Sequence, residues 1–395
     1  MTGSLPALLI AIPDGVIDLG WGHPSPRLHP LATLQQAAAH VFARTRVAAL
    51  QYGAEQGFGP LLEALADFLS QQEAYGMQVT PDTLFVTSGA SQALDLACTL
   101  FTKAGDTVFV EEPTYYLVAR IFADHHLRVV GVPTDAAGLR PDALAAMLQD
   151  ATVPRPTLLY TIPTFQNPTG SVLPLERRRA LVELAQRHGF LVVADEVYHL
   201  LYYGVPPPPP LVACDTSEHG QVLSLGSFSK ILAPGLRLGW VQARPPLIQR
   251  FVKAGMVASG GGVSHFAATI GQATIELGLL AQNIAALRAT YGERVQGLVA
   301  AVQAHLAPHV RYSVPGGGYF LWLTCVADVD TEALLPLAQQ LGVSYRPGQA
   351  FSPARAFPRA LRLSFALYEV DELTQGMVRL ATALERYQCG PQPEV

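Results

Sequence analysis

Lys230 follows two serines after a short apolar run, in Ser227-Phe228-Ser229-Lys230, and Pro234-Gly235-Leu236-Arg237-Leu238-Gly239 comes next. An amine that condenses with a carbonyl must be reachable in its neutral form, which a desolvated pocket provides. The hydroxyls of Ser227 and Ser229 and the guanidinium of Arg237 suit a phosphate. A Ser-x-Ser-Lys phrase by itself describes an ordinary solvated loop. Here an arginine lies seven positions on, and glycines and a proline fix the loop.

Three further segments carry compatible chemistry. Thr87-Ser88-Gly89-Ala90-Ser91-Gln92 joins an apolar run to a helical one. A helix start offers unpaired N–H groups and a positive dipole end to an anion, and Gly89 lets the backbone come close to it. Ser91 could equally be a plain N-cap. Asn167-Pro168-Thr169-Gly170 reads alone as a turn. Asp195-Glu196-Val197-Tyr198 puts a carboxylate at the end of an apolar run, where open α/β sheets bind ligands, although a capping aspartate would look the same.

The elements that must position these residues alternate. Strands are expected at 84–87, 107–110, 127–132, 157–162, 190–194, 222–225 and 238–242. Helices are expected at 91–101, 115–124, 141–149 and 175–188, the last stopped by Gly189. This is an α/β pattern: a large domain with a mostly parallel, seven-stranded-type sheet sandwiched by helices, placed at 45–285. The remainder reads as a smaller α+β domain from 1–44 and 286–395. It has helices at 284–302, 331–341 and 372–387 and strands at 319–323 and 361–365. Pro206 to Pro210 is expected to be an extended surface loop.

Taken in this order, the four motifs resemble the fold-type I, aspartate-aminotransferase-like enzymes that use pyridoxal 5′-phosphate. The similarity runs over nearly the whole chain. It is strongest to the branch holding 2-aminoadipate and kynurenine aminotransferases, through Gln51-Tyr52-Gly53, Gln166-Asn167-Pro168-Thr169-Gly170 and Pro315-Gly316-Gly317-Gly318-Tyr319-Phe320. The resemblance implies a role for each position. Lys230 would be the Schiff-base lysine and the proton shuttle, in a ping-pong transfer between an amino acid and a 2-oxo acid. Asp195 would keep the pyridine nitrogen protonated. Tyr198 and Asn167 would bond the cofactor's phenolic oxygen, and Tyr115 would stack on its ring. Gly89, Ala90, Ser91, Ser227, Ser229 and Arg237 would hold the phosphate. Tyr52 would reach a neighbouring subunit's phosphate, which implies a homodimer with shared active sites. Gly22, Asn167 and Arg362 would meet the substrate, with Arg362 taking its α-carboxylate as a planar fork.

The match thins at Gly20-Trp21-Gly22-His23-Pro24-Ser25-Pro26-Arg27, where relatives carry a Gly-Gly-x-Pro phrase. His23 could select a side chain, join proton transfer or be a loop histidine. Arg27 could take a distal carboxylate. β-Elimination, decarboxylation and oxygen-using amino-acid oxidation stay open as other reactions of the same cofactor, because fold does not choose among them.

The bulk properties set limits. Of 395 residues, 50% are hydrophobic and 14% charged, which excludes a disordered chain. A net charge of −5 gives no footprint for nucleic acid. A regulator of this family would need a basic winged-helix module, and the residues before Tyr52 hold no basic cluster. Cys98, Cys214, Cys325 and Cys389 form no metal-ligand spacing, and reduced thiols point to a cytoplasmic protein. No metal site is expected. The apolar stretch Leu8 to Ile12, stopped by Pro13 and Asp14, is too short for a leader or a membrane span.

Overall fold

The computed structural model describes residues 12, 15–45 and 47–389, so all of the apolar stretch at 8–12 except Ile12 lies outside the described residues. Its centre is an eight-stranded sheet. The order runs Leu84–Thr87, Gly239–Gln242, Val222–Ser227, Leu191–Asp195, Pro156–Thr161, Thr107–Glu112, Arg128–Asp135 and Gly138–Leu139. The five strands from Val222–Ser227 to Arg128–Asp135 are mutually parallel. Gly239–Gln242 runs against both of its neighbours. Seven strands therefore form the body of the sheet, and the eighth is a two-residue hairpin return. The central strands are buried on both faces, which is why they read as unbroken apolar runs instead of alternating ones.

Helices cover the sheet, and their starts differ from the sequence pattern at two places that matter. The first begins at Ala90, with Gly89 in the capping position and no side-chain cap bond. Ser91 therefore sits in the first turn and is not an N-cap. The second begins at Val118, not at Tyr115. Thr114 N instead donates to Phe351 O over 2.9 Å, which commits this stretch to the C-terminal part of the chain.

That C-terminal part holds a four-stranded antiparallel sheet, ordered Val310–Tyr312, Phe320–Cys325, Ala360–Ser364 and Arg346–Pro347. The helices Leu279–His305 and Val370–Cys389 pack on each other beside it. The N-terminal segment divides between a separate two-stranded sheet and a helix–helix contact. Ile17–Asp18 pairs in parallel with Val343–Ser344. The helix Leu31–Thr45 packs through Ala37 and Val41 against Ile270 and Ala273 of the helix His265–Glu276. Pro206–Pro210 forms no helix or strand, but it is not wholly superficial. Pro207 and Pro210 are buried, and Pro209 O accepts from the buried Arg178 at 3.1 Å.

Among the described residues no helix is long and apolar enough to cross a membrane, and no group of three or more His, Cys, Asp or Glu could hold a metal ion.

Candidate active site

The parallel strands deliver their carboxyl ends to one edge, where open α/β sheets bind ligands. Thr87, Thr161, Asp195 and Ser227 end four of them, so Gly89, Asn167, Asp195 and Lys230 come from separate strand ends to one place.

Lys230 Nζ donates to Gly22 O at 3.0 Å and lies 5.9 Å from the Tyr198 ring and 5.4 Å from the Tyr319 ring. Burial pulls its pKa down to about 8. Asp195 opposes that shift, and Arg362 and Arg237 add to it. One amine thus feels the acid and both arginines singled out in the sequence.

Asp195 is held from behind. Tyr160 donates its hydroxyl to Oδ2 at 2.7 Å, whereas Oδ1 is buried without a hydrogen-bond partner. Burial raises the carboxyl pKa, while the Tyr160 bond, the Val197 backbone N–H and Lys230 counter it. Tyr160 was not among the residues singled out by pattern, because a tyrosine inside a buried strand reads as core.

The anion end lies at the helix Ala90–Phe101. Gly89 adopts φ +84°, and a Cβ built on it would come 2.8 Å from Arg237 Nη2. Only a residue without a side chain leaves that gap open. Arg237 sits at φ +45° and is exposed, and it donates to Ser88 O at 3.2 Å. Ser264 was not singled out in the sequence. Its hydroxyl lies 2.8 Å from Ser88 Oγ and donates to Arg237 O at 3.0 Å. Ser227 Oγ accepts from Ser229 N at 3.1 Å. The first N–H groups of the helix, those of Ala90 and Ser91, have no intrahelical acceptor.

Arg362 closes the other end. It is 2% exposed and donates to Asn167 Oδ1 at 2.8 Å and to Gly20 O at 2.5 Å. Its Nε is buried without a partner. Its guanidinium lies over Phe320 at 4.1 Å and Phe351 at 4.9 Å. Burial lowers its pKa to about 10, as expected for a cation with no acid beside it. Asn167 thus spends its amide oxygen on Arg362, which leaves its Nδ2 donors uncommitted among the described residues. Gln166 anchors the loop, donating to buried Glu111 at 3.1 Å and to Pro113 O at 2.7 Å.

The segment 20–23 lies against both Lys230 and Arg362. The His23 ring lies 5.5 Å from the Trp21 ring, tilted 58° to it, and its Nδ1 is buried and unpartnered. Burial, Lys230 and Arg362 together pull its pKa down to about 4, so the ring is neutral. Arg27 is not free for a substrate. Its fork already holds both oxygens of Glu372, at 2.8 and 3.1 Å, and Glu369 lies 3.7 Å away. Tyr115 packs edge-on against Tyr116, and burial pushes its hydroxyl up to about 12. Tyr52 is the outlier at 87% exposure. The stretch behind it is tight, since a Cβ on Gly261 would come 2.7 Å from Gly53 O.

These residues fit pyridoxal 5′-phosphate: an orphaned carboxylate oxygen for a protonated ring nitrogen, a desolvated amine, and a glycine-opened cradle with an arginine and free N–H groups for a phosphate.

Comparison with known proteins agrees with the geometry. The family model described as aminotransferase class I and II matches residues 14–380. An aromatic-amino-acid aminotransferase of Thermococcus litoralis is 34% identical, over 94% of this chain and 88% of its own. The structure of Pyrococcus horikoshii kynurenine aminotransferase superposes with a TM-score of 0.87 at 32% identity, covering 94% of this chain and 91% of that one. The α-aminoadipate aminotransferase of Thermus thermophilus, solved with a phosphopyridoxyl-leucine adduct, gives 0.84 at 31% identity, covering 94% and 92%.

Proposed function

The chain belongs to the class I and II aminotransferase family, and from that premise we propose that it transfers an amino group from an amino acid to a 2-oxo acid by a ping-pong cycle on pyridoxal 5′-phosphate carried at Lys230. The cofactor, when bound, supplies the carbonyl that takes the amine and the ring that accepts electrons as the Cα proton leaves. The protein supplies the rest.

The observation that carries this reading is the position of Lys230 Nζ, where Asp195, Arg362 and Arg237 all act on it. Burial keeps the neutral amine accessible near pH 8, so Nζ can attach the cofactor and later remove the proton from the substrate Cα. Asp195 Oδ1 offers its charge to the ring nitrogen, while Tyr160 stops the carboxylate from turning away. Tyr198 and the Nδ2 group of Asn167 would donate to the phenolic oxygen, and Tyr115 would lie against the ring. Gly89, Ala90 and Ser91 offer backbone contacts to the phosphate, and Ser227, Ser229 and Arg237 add side chains. Arg362 takes the α-carboxylate with its fork, beside Gly22. Tyr52, turned outward, reaches the phosphate held by a second copy, which makes the enzyme a homodimer with shared sites. A cytoplasmic location suits its free thiols.

Mixing the holoenzyme with one amino acid and no acceptor tests the cycle. One equivalent of 2-oxo acid per site should form and then stop, and turnover should resume when a second 2-oxo acid is added. Continued turnover without an acceptor, or release of ammonia, overturns the reading in favour of elimination or oxidation.

A further inference from the structure

Glu111 is a buried carboxylate that no cation answers, whereas buried Glu196 has Arg178 at 3.4 Å. Among the described residues Glu111 forms no ion pair, and its oxygens meet donors from one short stretch instead. Thr161 donates its hydroxyl to Oε1 at 2.6 Å, and Ile162 N and Gln166 Nε2 donate to Oε2 at 3.0 and 3.1 Å. Burial pushes the carboxyl pKa up, these hydrogen bonds pull it back, and Asp195 adds to the push. A buried acid without a counter-ion is costly, and what offsets the cost here is a set of fixed donors.

Those donors flank the active site in sequence. Thr161 and Ile162 directly follow Tyr160, whose hydroxyl holds Asp195 Oδ2 at 2.7 Å. Gln166 directly precedes Asn167, whose Oδ1 takes Arg362 at 2.8 Å. Gln166 is committed on every side. Its Nε2 also donates to Pro113 O at 2.7 Å, and its Oε1 accepts from Thr169 N and Thr169 Oγ, both at 2.8 Å. Its backbone N donates to Ser171 O at 2.9 Å, and its carbonyl accepts from Gly170 N at 2.7 Å. The turn that carries Asn167 is thus closed on itself through Gln166. It is tied to the end of the strand Thr107–Glu112 at Glu111 and to Pro113 just beyond.

We infer that Glu111 is a positioning residue. By accepting from Thr161, Ile162 and Gln166 it fixes, from one point, the tyrosine that steadies Asp195 and the asparagine that meets Arg362. Because no cation answers its charge, the role belongs to its acceptor oxygens, and an amide can take it over. The Thr161 hydroxyl can turn to accept from the amide nitrogen, while the amide oxygen keeps Ile162 and Gln166. The inference rests on the site being the transamination site described above.

The test uses Glu111→Leu, Glu111→Gln and Gln166→Leu. In cofactor-free protein, both leucine variants should speed amide hydrogen exchange across residues 166–171 by about 10-fold, with the helix Leu279–His305 unchanged. In holoenzyme, both should lower kcat/KM for an amino donor by about 10- to 100-fold. Both should also raise, by about one unit, the pH midpoint at which the bound cofactor's visible band changes, because Asn167 Nδ2 is no longer held toward the phenolic oxygen. Glu111→Gln should stay within about 3-fold of the wild type in exchange and turnover, with the midpoint unmoved. Equal losses in Glu111→Gln and Glu111→Leu would overturn the inference by showing that the charge acts and not the acceptors. Exchange and midpoint unmoved in the leucine variants would overturn it as well. Should Glu111→Leu fail to fold, Gln166→Leu, which leaves the carboxylate in place, decides on the same readouts. If exchange behaves as expected but the wild type takes up no pyridoxal 5′-phosphate, the bracing stands and the assignment of the site fails.

Discussion

Arg237 and Arg362 mark opposite ends of one pocket, and the protein holds them in opposite ways. Arg237 is exposed, stands on a left-handed loop residue beside the central sheet, and leans on the Gly89 gap. Arg362 is buried in a strand of the smaller sheet and held by Asn167 and Gly20, which lie 195 and 342 residues away in sequence. Water already screens the first charge, so an anion there gains firm placement and modest energy. The second charge is starved of solvent, and an anion arriving there relieves a real cost. In the proposed assignment, the cofactor end is a fixed cradle and the substrate end is a site under electrostatic tension.

Lys230 lies between the ends and sets the scale. Lys230→Ala should lower turnover by about 1000-fold or more and abolish the visible absorption of the bound cofactor. An unchanged band in that variant means the amine is elsewhere. At the substrate end, Arg362→Lys should lower kcat/KM by about 100-fold for every amino donor, because an ammonium cannot replace two parallel N–H bonds. A small loss there breaks the contrast, since it would show that the buried fork is not tense. At the cofactor end, Arg237→Ala should weaken cofactor affinity by about 10-fold, read by equilibrium titration, with single-turnover proton transfer little altered.

Two smaller effects sharpen the same contrast. The rate at which cofactor-free enzyme takes up cofactor should rise with pH through about 8, as Lys230 Nζ loses its proton. Removing either arginine removes a charge that lowers this pKa, so the midpoint should move upward, and further for Arg362→Ala than for Arg237→Ala. A midpoint unmoved by both would show that neither end reaches the amine. Tyr160→Phe deletes the bond that holds the Asp195 pKa down, so the acidic limb of kcat/KM should shift to higher pH with a loss of several-fold at neutral pH.

The residues proposed for the cofactor end were far more legible in the sequence than those around them, for a physical reason. Gly89, Asn167, Asp195 and Lys230 each follow a strand, so local pattern and the rule for open sheets place them together. Tyr160 was hidden because a buried strand tolerates any large aromatic, and only its hydroxyl bond to Asp195 separates it from packing. Ser264, at φ +55° before a helix, reads as a loop serine, and the alternation of apolar residues passes over it. The pairing of Arg346 with Arg362 could not be read, because cross-strand register is not written in either strand alone. Residues 115–117 read as the start of a helix, but the bond from Thr114 N to Phe351 O holds that stretch out.

The wiring of Arg362 also bears on how the protein is made. Its two acceptors emerge early in synthesis, whereas residue 362 is among the last thirty-odd of a 395-residue chain. The loops and the lysine proposed to hold the cofactor are translated long before it. Until residue 362 is translated and Ala360–Ser364 pairs with its neighbours, the fork has neither its strand nor contact with its two acceptors. The grip on the substrate is therefore the last part of the pocket to be completed as the chain is made.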